Sequence, residues 1–307
     1  MPQDAKVVVV GSSNMDLVVK SSRIPVVGET ILGGDFIMVP GGKGANQAVA
    51  AAKLGARVCF VAKLGDDLFG RQSLDNFKKE GLDTTHVTLS AEAPSGVALI
   101  MVDDAGNNVI VVAPGANGRL SAEDVKKAES DIASSGAVVA QLEVPLDTVA
   151  FAGQLAHVAG VPFVLDPAPA RRLPAELLKI VDVLTPNETE AQILTGIEVH
   201  DEPSARAAAE KLLDSGVKTV ILTMGAQGFL LMDRDKVEFV TARQVDAVDS
   251  TAAGDAFTGS LAVGMAQGKS ISEAALLANH VAALSVTRMG AQPSMPTLEQ
   301  VGEFMRS

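Results

Sequence analysis

The segment Asp249-Ser-Thr-Ala-Ala-Gly-Asp255-Ala-Phe-Thr-Gly-Ser-Leu-Ala-Val-Gly264 leads a tight turn into a helix of small residues, with one carboxylate in the first helical turn. The opening N–H groups of a helix lack intrahelical partners, and the aligned peptide dipoles add about half a positive charge there, so oxyanions bind at such ends. An acid in that field can take a proton while adjacent amides meet developing negative charge. Asp255 is the candidate acceptor. The amides of Ala253, Gly254 and Asp255, entered through Ala252, are the candidate donors, and Gly254 lets an anion approach the backbone. An acid at a helix start also serves as a cap or complements the dipole, and residue type alone leaves both roles open.

A second glycine turn, Pro40-Gly-Gly-Lys-Gly-Ala-Asn-Gln-Ala-Val-Ala-Ala-Ala-Lys-Leu-Gly-Ala56, feeds another helix far away in the chain. Gly42 makes room, and Lys43 and Asn46 offer polar groups. Taken singly, Lys43 reads as a solvated lysine and Asn46 as a polar helix-start residue. Asn14 and Asp16 follow the apolar run Lys6–Val10, and Glu143 follows the apolar run 137–141. Together these five side chains make the paired donors and acceptors that a hydroxyl-rich ligand needs. Asn187-Glu-Thr-Glu190 is fully explained as an Asn cap with acids suited to the dipole, yet one such acid also suffices for a hydrated magnesium ion. Thr223-Met-Gly225-Ala-Gln-Gly228 is a glycine-bearing turn after an apolar strand, of a kind common in proteins.

The two glycine turns together resemble the N-terminal and C-terminal signatures of the ribokinase family of carbohydrate kinases, also called the phosphofructokinase B family. The likeness runs over nearly the whole chain. The resemblance implies a three-layer α/β sandwich with a mostly parallel central sheet and a small β-sheet lid over the sugar site. It implies ATP-dependent phosphorylation of a sugar, with Asp255 as base and Ala252, Ala253 and Gly254 at the anion hole. Asn14, Asp16, Gly42, Lys43, Asn46, Glu143 and Asp255 would bind the sugar. Asn187, Glu190, Thr223, Gly225, Gly228, Gly254 and Asn279 would bind the nucleotide, with Ala282 near the base and Glu190 holding magnesium through water. A monovalent cation, potassium by analogy, would lie at Asp249, Thr251, Ser285, Arg288, Gly290 and Ser294, several of them acting through carbonyls. Arg288 could act only in that way, since a guanidinium has no acceptor. Gly41–Asn46, Asp166-Pro-Ala-Pro169 and Gly290-Ala-Gln-Pro-Ser294 point within the family to D-ribose, phosphorylated on its 5-hydroxyl to ribose 5-phosphate. Other sugar or nucleoside kinases of the family, and a non-catalytic sugar or nucleotide sensor, are the alternatives. Ser250 stands where the family usually has Thr, and Ala253 where many members have Gly. Both changes keep the backbone donors. The resemblance also implies a homodimer formed through the lid sheet.

Composition bounds these readings from another side. The 307 residues carry 37 acids and 25 bases, a formal charge of -12, and neither Trp nor Tyr. With no basic run, nucleic acid is excluded as a partner. The lack of Tyr and Trp leaves an adenine to lie between aliphatic side chains and peptide planes. Cys59, the only cysteine, lies in an apolar run and reads as core, which suits a reducing compartment. The first ten residues lack the features of a secretory leader, no apolar run reaches the ~20 residues of a membrane helix, and a cytoplasmic location is expected. The four histidines, at 86, 157, 200 and 280, show no metal-ligand spacing. Nothing matches the glycine–lysine turn of P-loop nucleotide binders, the serine elbow of hydrolases or a zinc-protease helix.

The elements that must position these groups alternate. A single domain over 1–307 is expected. A strand at Lys6–Val10 opens the chain. Short β-rich runs at 17–20, 30–39, 96–102 and 108–112 break the rhythm and form the expected lid, segments 15–40 and 95–113. After residue 113, helix 122–134, strand 137–141, helix 146–159, strands 162–165 and 181–184, helices 188–194 and 204–215 and strand 219–223 follow, which implies a parallel sheet. A hairpin at 229–241, the helix from Ala252 and a helix at 272–287 close the chain.

Overall fold

The computed structural model describes residues 5–306. Residues 1–4 and 307 lie outside the described part, and with them the ends of the expected domain and the start of the segment read as leaderless. The strands are β1 (Lys6–Val10), β2 (Asn14–Lys20), β3 (Phe36–Gly41), β4 (Arg57–Gly65), β5 (Val87–Ser90), β6 (Gly96–Val102), β7 (Asn108–Ala113), β8 (Ala137–Ala140), β9 (Phe163–Leu165), β10 (Val183–Leu184), β11 (Thr219–Thr223), β12 (Phe229–Met232) and β13 (Val237–Val240). The helices are α1 (Lys43–Lys53), α2 (Leu68–Lys79), α3 (Ala122–Lys127), α4 (Glu129–Ala133), α5 (Leu146–Ala159), α6 (Ala175–Leu178), α7 (Glu188–Thr195), α8 (Glu202–Asp214), α9 (Ala253–Ala266), α10 (Ile271–Ser285) and α11 (Leu298–Arg306).

Nine strands form one sheet in the order β13-β12-β11-β10-β9-β8-β1-β4-β5, parallel except for the β11–β12–β13 edge. The period-2 geometry of a strand splits its side chains between two layers. On β1, Val7 and Val9 enter the layer of α1, α2, α9, α10 and α11, while Val8 and Val10 enter that of α3, α4, α5, α7 and α8. All four valines are fully buried. Full burial of one such side chain contributes roughly 1.5–3 kcal/mol. The expected three layers are therefore present.

The expected lid is a separate four-stranded sheet, β3-β2-β6-β7. Its boundaries differ from the sequence reading. β2 begins at Asn14, paired with Gly41 and Gly96, so Asn14 and Asp16 sit where the lid leaves the main body and not on the end of β1. β3 starts at Phe36, and of residues 30–35 only Gly34 and Asp35 bond to the β2 backbone, both at Lys20. The helix expected over 122–134 divides at Ala128, whose N–H tightens onto the Val125 carbonyl at 2.9 Å, and both halves pack on α5. α6 and α11 were not read from the sequence.

Candidate active site

Both glycine turns meet at one cavity. Gly42 caps α1 at φ 89, and a Cβ there would come 2.6 Å from the Asn14 amide, so only glycine lets α1 start against β2. A second close approach, between α1 and α9, depends on Gly259, where a Cβ would lie 2.5 Å from the Gln47 carbonyl oxygen. These two contacts bring Lys43, Asn46 and Gln47 on α1 against the first turn of α9.

The start of α9 has the donor pattern of an anion site, shifted from the expected one. Ala253 N–H is taken by the Ser250 carbonyl at 3.2 Å, which removes it from the expected set of three donors. Among the described residues, the amides of Ala252, Gly254 and Asp255 meet no acceptor. Ala252 holds the turn with φ 61, the only non-glycine positive φ among the described residues.

The Asp255 side chain is buried. Its Oδ1 accepts from Gln47 Nε2 at 3.0 Å and its Oδ2 from Asn46 Nδ2 at 2.9 Å. Burial raises its pKa, opposed by the Lys43 ammonium and by the two amide donors. The same burial raises Asp166, Glu190 and Asp16, the last to about 7 with help from Glu143 and Asp255. Burial also works against the charge of Lys43, but Asp255, Asp166, Glu143 and Glu190 outweigh it and hold that pKa above its ordinary value. The Lys43 ammonium forms no ion pair with any described residue, so it remains free to meet an anion.

A cavity of about 160 Å³ is lined by Lys43, Asn187, Glu190, Thr223 and residues 252–255, all expected site residues, by Asp166 and Ser250, which the sequence marked without giving them a ligand role, and by Thr185 and Thr258, which it did not mark. A second cavity of about 410 Å³ shares Asn187, Thr223, Ser250, Ala253 and Gly254 with it and extends past Gly225, Gly228, Asn279 and Ala282. Phe257 lines this second space too, so one aromatic ring is present where only aliphatic walls were expected. Asn187 and Glu190 cap α7 and also line the first cavity. Asn187 Oδ1 accepts from Glu190 N–H at 2.8 Å, Glu190 Oε2 accepts from Asn187 N–H at 2.9 Å, and both side chains still face the cavities.

On the lid side, Glu143 Oε2 accepts from Ser12 Oγ at 2.5 Å and from the Lys43 amide at 3.0 Å. Asn14 Oδ1 accepts from Asn117 Nδ2 at 2.7 Å. Asn117 and Ser12 thus orient two of the expected sugar ligands, and neither has a sequence signal of its own. The Asp16 carboxylate and the Asn14 NH2 take no partner among the described residues, which leaves acceptors and donors for a hydroxylated ligand.

The expected cation residues share one corner. Asp249 Oδ1 accepts from Thr251 N–H at 2.9 Å and Thr251 Oγ1 at 2.5 Å, and its Oδ2 accepts from Gly290 N–H at 2.8 Å. The hydroxyls of Ser285 and Ser294 donate to the Ala282 and Ala291 carbonyls and keep their lone pairs, whereas Arg288, whose guanidinium donates to Gln300, can offer only its carbonyl. His86 is the histidine that meets a carboxylate and a thiol in space. His86 Nε2 lies 2.9 Å from Asp131 Oδ2, and the Cys59 thiol lies within 4.8 Å of these groups. Lys6 already pairs with the other Asp131 oxygen at 2.9 Å, and burial pushes the Cys59 thiol up to about 12.

Comparison with known proteins gives the same picture. A family model described as pfkB family carbohydrate kinase matches residues 4–298. A ribokinase of Haemophilus influenzae is 44% identical over 297 residues, covering 97% of each chain. A deoxyribokinase of Salmonella typhimurium is 41% identical over 300 residues, covering 97% of this chain and 98% of its own. The solved structure of Arabidopsis thaliana ribokinase complexed with ribose and ATP superposes with a TM-score of 0.91 at 34% identity, covering 99% of both chains.

Proposed function

The chain belongs to the pfkB family of carbohydrate kinases, and from that premise we propose that it transfers the terminal phosphoryl group of ATP to the 5-hydroxyl of D-ribose. The observation that carries this reading is the pairing, in one cavity, of acceptor-free amides at Ala252, Gly254 and Asp255 with the buried Asp255 carboxylate. Phosphoryl transfer requires an aligned hydroxyl, a proton acceptor and donors for charge spreading onto phosphate oxygens. Asp255 takes the hydroxyl proton, the amides meet the phosphoryl oxygens, and the Lys43 ammonium adds positive charge.

The nucleotide lies in the larger cavity, along Thr223, Gly225 and Gly228 with Asn279 and Ala282 at its far end, and its phosphates cross the shared wall at Gly254. Glu190 fits a hydrated magnesium ion, because its Oε1 is left over from the cap, and the Asn187 Nδ2 left over beside it can donate to a phosphate oxygen. Magnesium, when bound, supplies positive charge between the phosphates. The corner at Asp249, Thr251, Ser285, Arg288, Gly290 and Ser294 suits potassium: Asp249 there stays ionised, because Thr251 and Gly290 hold its pKa low against the push of burial.

Asn14, Asp16, Lys43, Asn46 and Glu143, with Gly42 making room, bind the sugar. The lid covers it and keeps water from the activated phosphoryl group. The lid leaves Phe36, Ile37, Met38, Leu99, Ile110 and Val111 exposed, and β7 is exposed along its whole length. Such a surface supports a homodimer through the lid. Light scattering should give twice the chain mass, and Val111→Lys should return the monomer. Among the described residues no helix is long and apolar enough to cross a membrane. A lone buried thiol and ATP as co-substrate suit the cytoplasm.

The deoxyribokinase relative at 41% identity favours 2-deoxy-D-ribose as the second reading. Acceptors held ready for a hydroxyl discriminate against an analogue that lacks it, by up to ~10⁴. The free Asp16 carboxylate therefore favours ribose. ADP release should be followed with D-ribose, 2-deoxy-D-ribose, D-fructose, D-tagatose and adenosine. Ribose should give the highest kcat/KM. Equal or better turnover of another acceptor would replace the substrate assignment, and none with any acceptor would favour the sensor reading.

A further inference from the structure

Gln47 has no part in the roles above, yet it is fully buried and commits its whole carboxamide to the site. Its Nε2 donates to Asp166 Oδ2 at 2.7 Å and to Asp255 Oδ1 at 3.0 Å, and its Oε1 accepts from Gln141 Nε2 at 2.6 Å. An amide NH2 has two hydrogens. Both are spent here on carboxylates from different elements, one past β9 and one in the first turn of α9. Rotation would aim its oxygen at the oxygens of two carboxyl groups, which favours the orientation seen. The main chain beneath it is equally fixed, by the close crossing of α1 and α9 at Gly259.

We propose that Gln47 is a positioning residue for phosphoryl transfer, one that holds Asp255 oriented and ready to accept a proton by tying it to Asp166. The proposal rests on the reading of Asp255 as base. With Oδ1 bonded to Gln47 and Oδ2 to Asn46, the carboxylate plane is set, and each oxygen keeps a lone pair for the sugar hydroxyl. Donors on a carboxylate favour its ionised form, whereas burial favours the protonated one. The charged groups facing Asp255 are Lys43 on α1, which supports ionisation, and Glu143 after β8, Asp166 after β9, Glu190 on α7 and Asp16 on β2, which oppose it. One lysine faces four acids. By placing an NH2 between Asp166 and Asp255, Gln47 lets both stay close without forcing a proton onto the base.

The test compares Gln47→Met, which keeps the length and removes both donors, with Gln47→Asn, which keeps an NH2 one methylene short, and with Asp255→Asn. The measurements are kcat, KM for ATP and for ribose, and the pH dependence of kcat. Gln47→Met should lower kcat at neutral pH by ~10- to 100-fold, of the order of a misplaced general base. It should move the acid limb of the kcat profile upward by about one pH unit, as loss of a donor to the ionised form requires. KM for ATP should stay within about threefold, because the nucleotide cavity is untouched, and Gln47→Asn should fall between wild type and Gln47→Met on both readouts. An unmoved acid limb in Gln47→Met, whether kcat is kept or is lowered equally at every pH, overturns the proposal while Asp255→Asn is inactive. Should Gln47→Met not fold, the same two readouts on Gln47→Asn decide it. If Asp255→Asn itself turns over normally, the base reading has failed and takes this inference with it.

Discussion

Asp249 and Asp255 stand at the two ends of the same turn, and their surroundings drive them in opposite directions. Asp249 is bound by donors the chain itself supplies: the Thr251 amide and hydroxyl on one oxygen and the Gly290 amide on the other. Burial pushes its pKa up, but those bonds hold it below the usual range, so it is a permanent anion tying two loops together. Asp255 is bound only by the side-chain amides of Asn46 and Gln47, opens onto a cavity, and has its pKa raised by burial. Donors from its own turn and a neighbouring loop clamp Asp249, whereas Asp255, held by two side-chain amides beside a cavity, is a group that can exchange a proton. The contrast can be broken by substitution, and the first test has the largest effect. Asp255→Asn should cut kcat by at least ~10² while ribose binding stays measurable, in line with what general bases contribute. Isothermal titration with ribose, beside the coupled assay, checks both halves, and normal turnover would remove the distinction between the two acids.

Asp249→Asn should reverse the balance of effects. An asparagine keeps one acceptor but turns an NH2 toward donors already present, leaving one of them unpaired at a cost of about 1–3 kcal/mol. For a chain of this size that corresponds to a melting temperature lower by roughly 2–10 °C. Turnover should fall by only about tenfold, because the turn delivering the Gly254 and Asp255 amides loosens without losing a reacting group. Calorimetry and the coupled assay on one preparation would show it. A variant with full thermal stability and no activity would mean that Asp249 acts in the chemistry itself.

The opposite pKa directions also predict opposite dependence of stability on pH. A carboxyl raised by folding, as in Asp166 and Asp16, binds its proton in the folded chain over a window where the unfolded chain has lost it. For Asp16 that window runs from the model-peptide value of 3.8 to about 7. Stability contributed by such groups therefore falls as pH rises through the window. A carboxyl lowered by folding, as in Asp249, contributes stability above its unfolded value that is lost as pH falls through the folded one. Asp166→Asn turns an NH2 toward the Ala168 amide or Gln47 Nε2 at a cost that does not depend on pH, so its melting temperature relative to wild type should be more favourable at pH 8 than at pH 5. A pH-independent difference would show that folding does not raise the Asp166 pKa.

The parts of this arrangement legible in the chain were those encoded locally. Glycine turns before small-residue helices placed Asp255, Gly254, Lys43 and Asn46, and alternating apolar strands and amphipathic helices gave the main sheet. The unread parts depend on contacts between distant segments. Nothing near Gln47 or Asp166 announces that α1 and the end of β9 meet, because the two residues lie 119 positions apart and are joined only by the fold. Asn14 and Asp16 joined the lid because β2 pairs with Gly41 and Gly96, a register that local pattern does not carry. The expected Ala253 donor was lost to a bond within the turn itself, which depends on the left-handed backbone at Ala252.

That left-handed residue lies between the two acids and gives the smallest effect. A non-glycine residue in this conformation costs roughly 1–2 kcal/mol, since its Cβ crowds the following carbonyl. Ala252→Gly removes the crowding, but it also frees the unfolded chain by roughly 0.4–1 kcal/mol. The expected net change runs from about zero to a gain of about 1.6 kcal/mol, opposite in sign to that of Asp249→Asn. A glycine also lets the turn sample more backbone angles, so the amides at the start of α9 are held less firmly and kcat should fall by no more than about threefold. Thermal melting and steady-state kinetics on the single variant separate the two consequences. A loss of stability would show that the turn does not hold strain at Ala252, and that Asp249 alone determines how the donors reach the cavity.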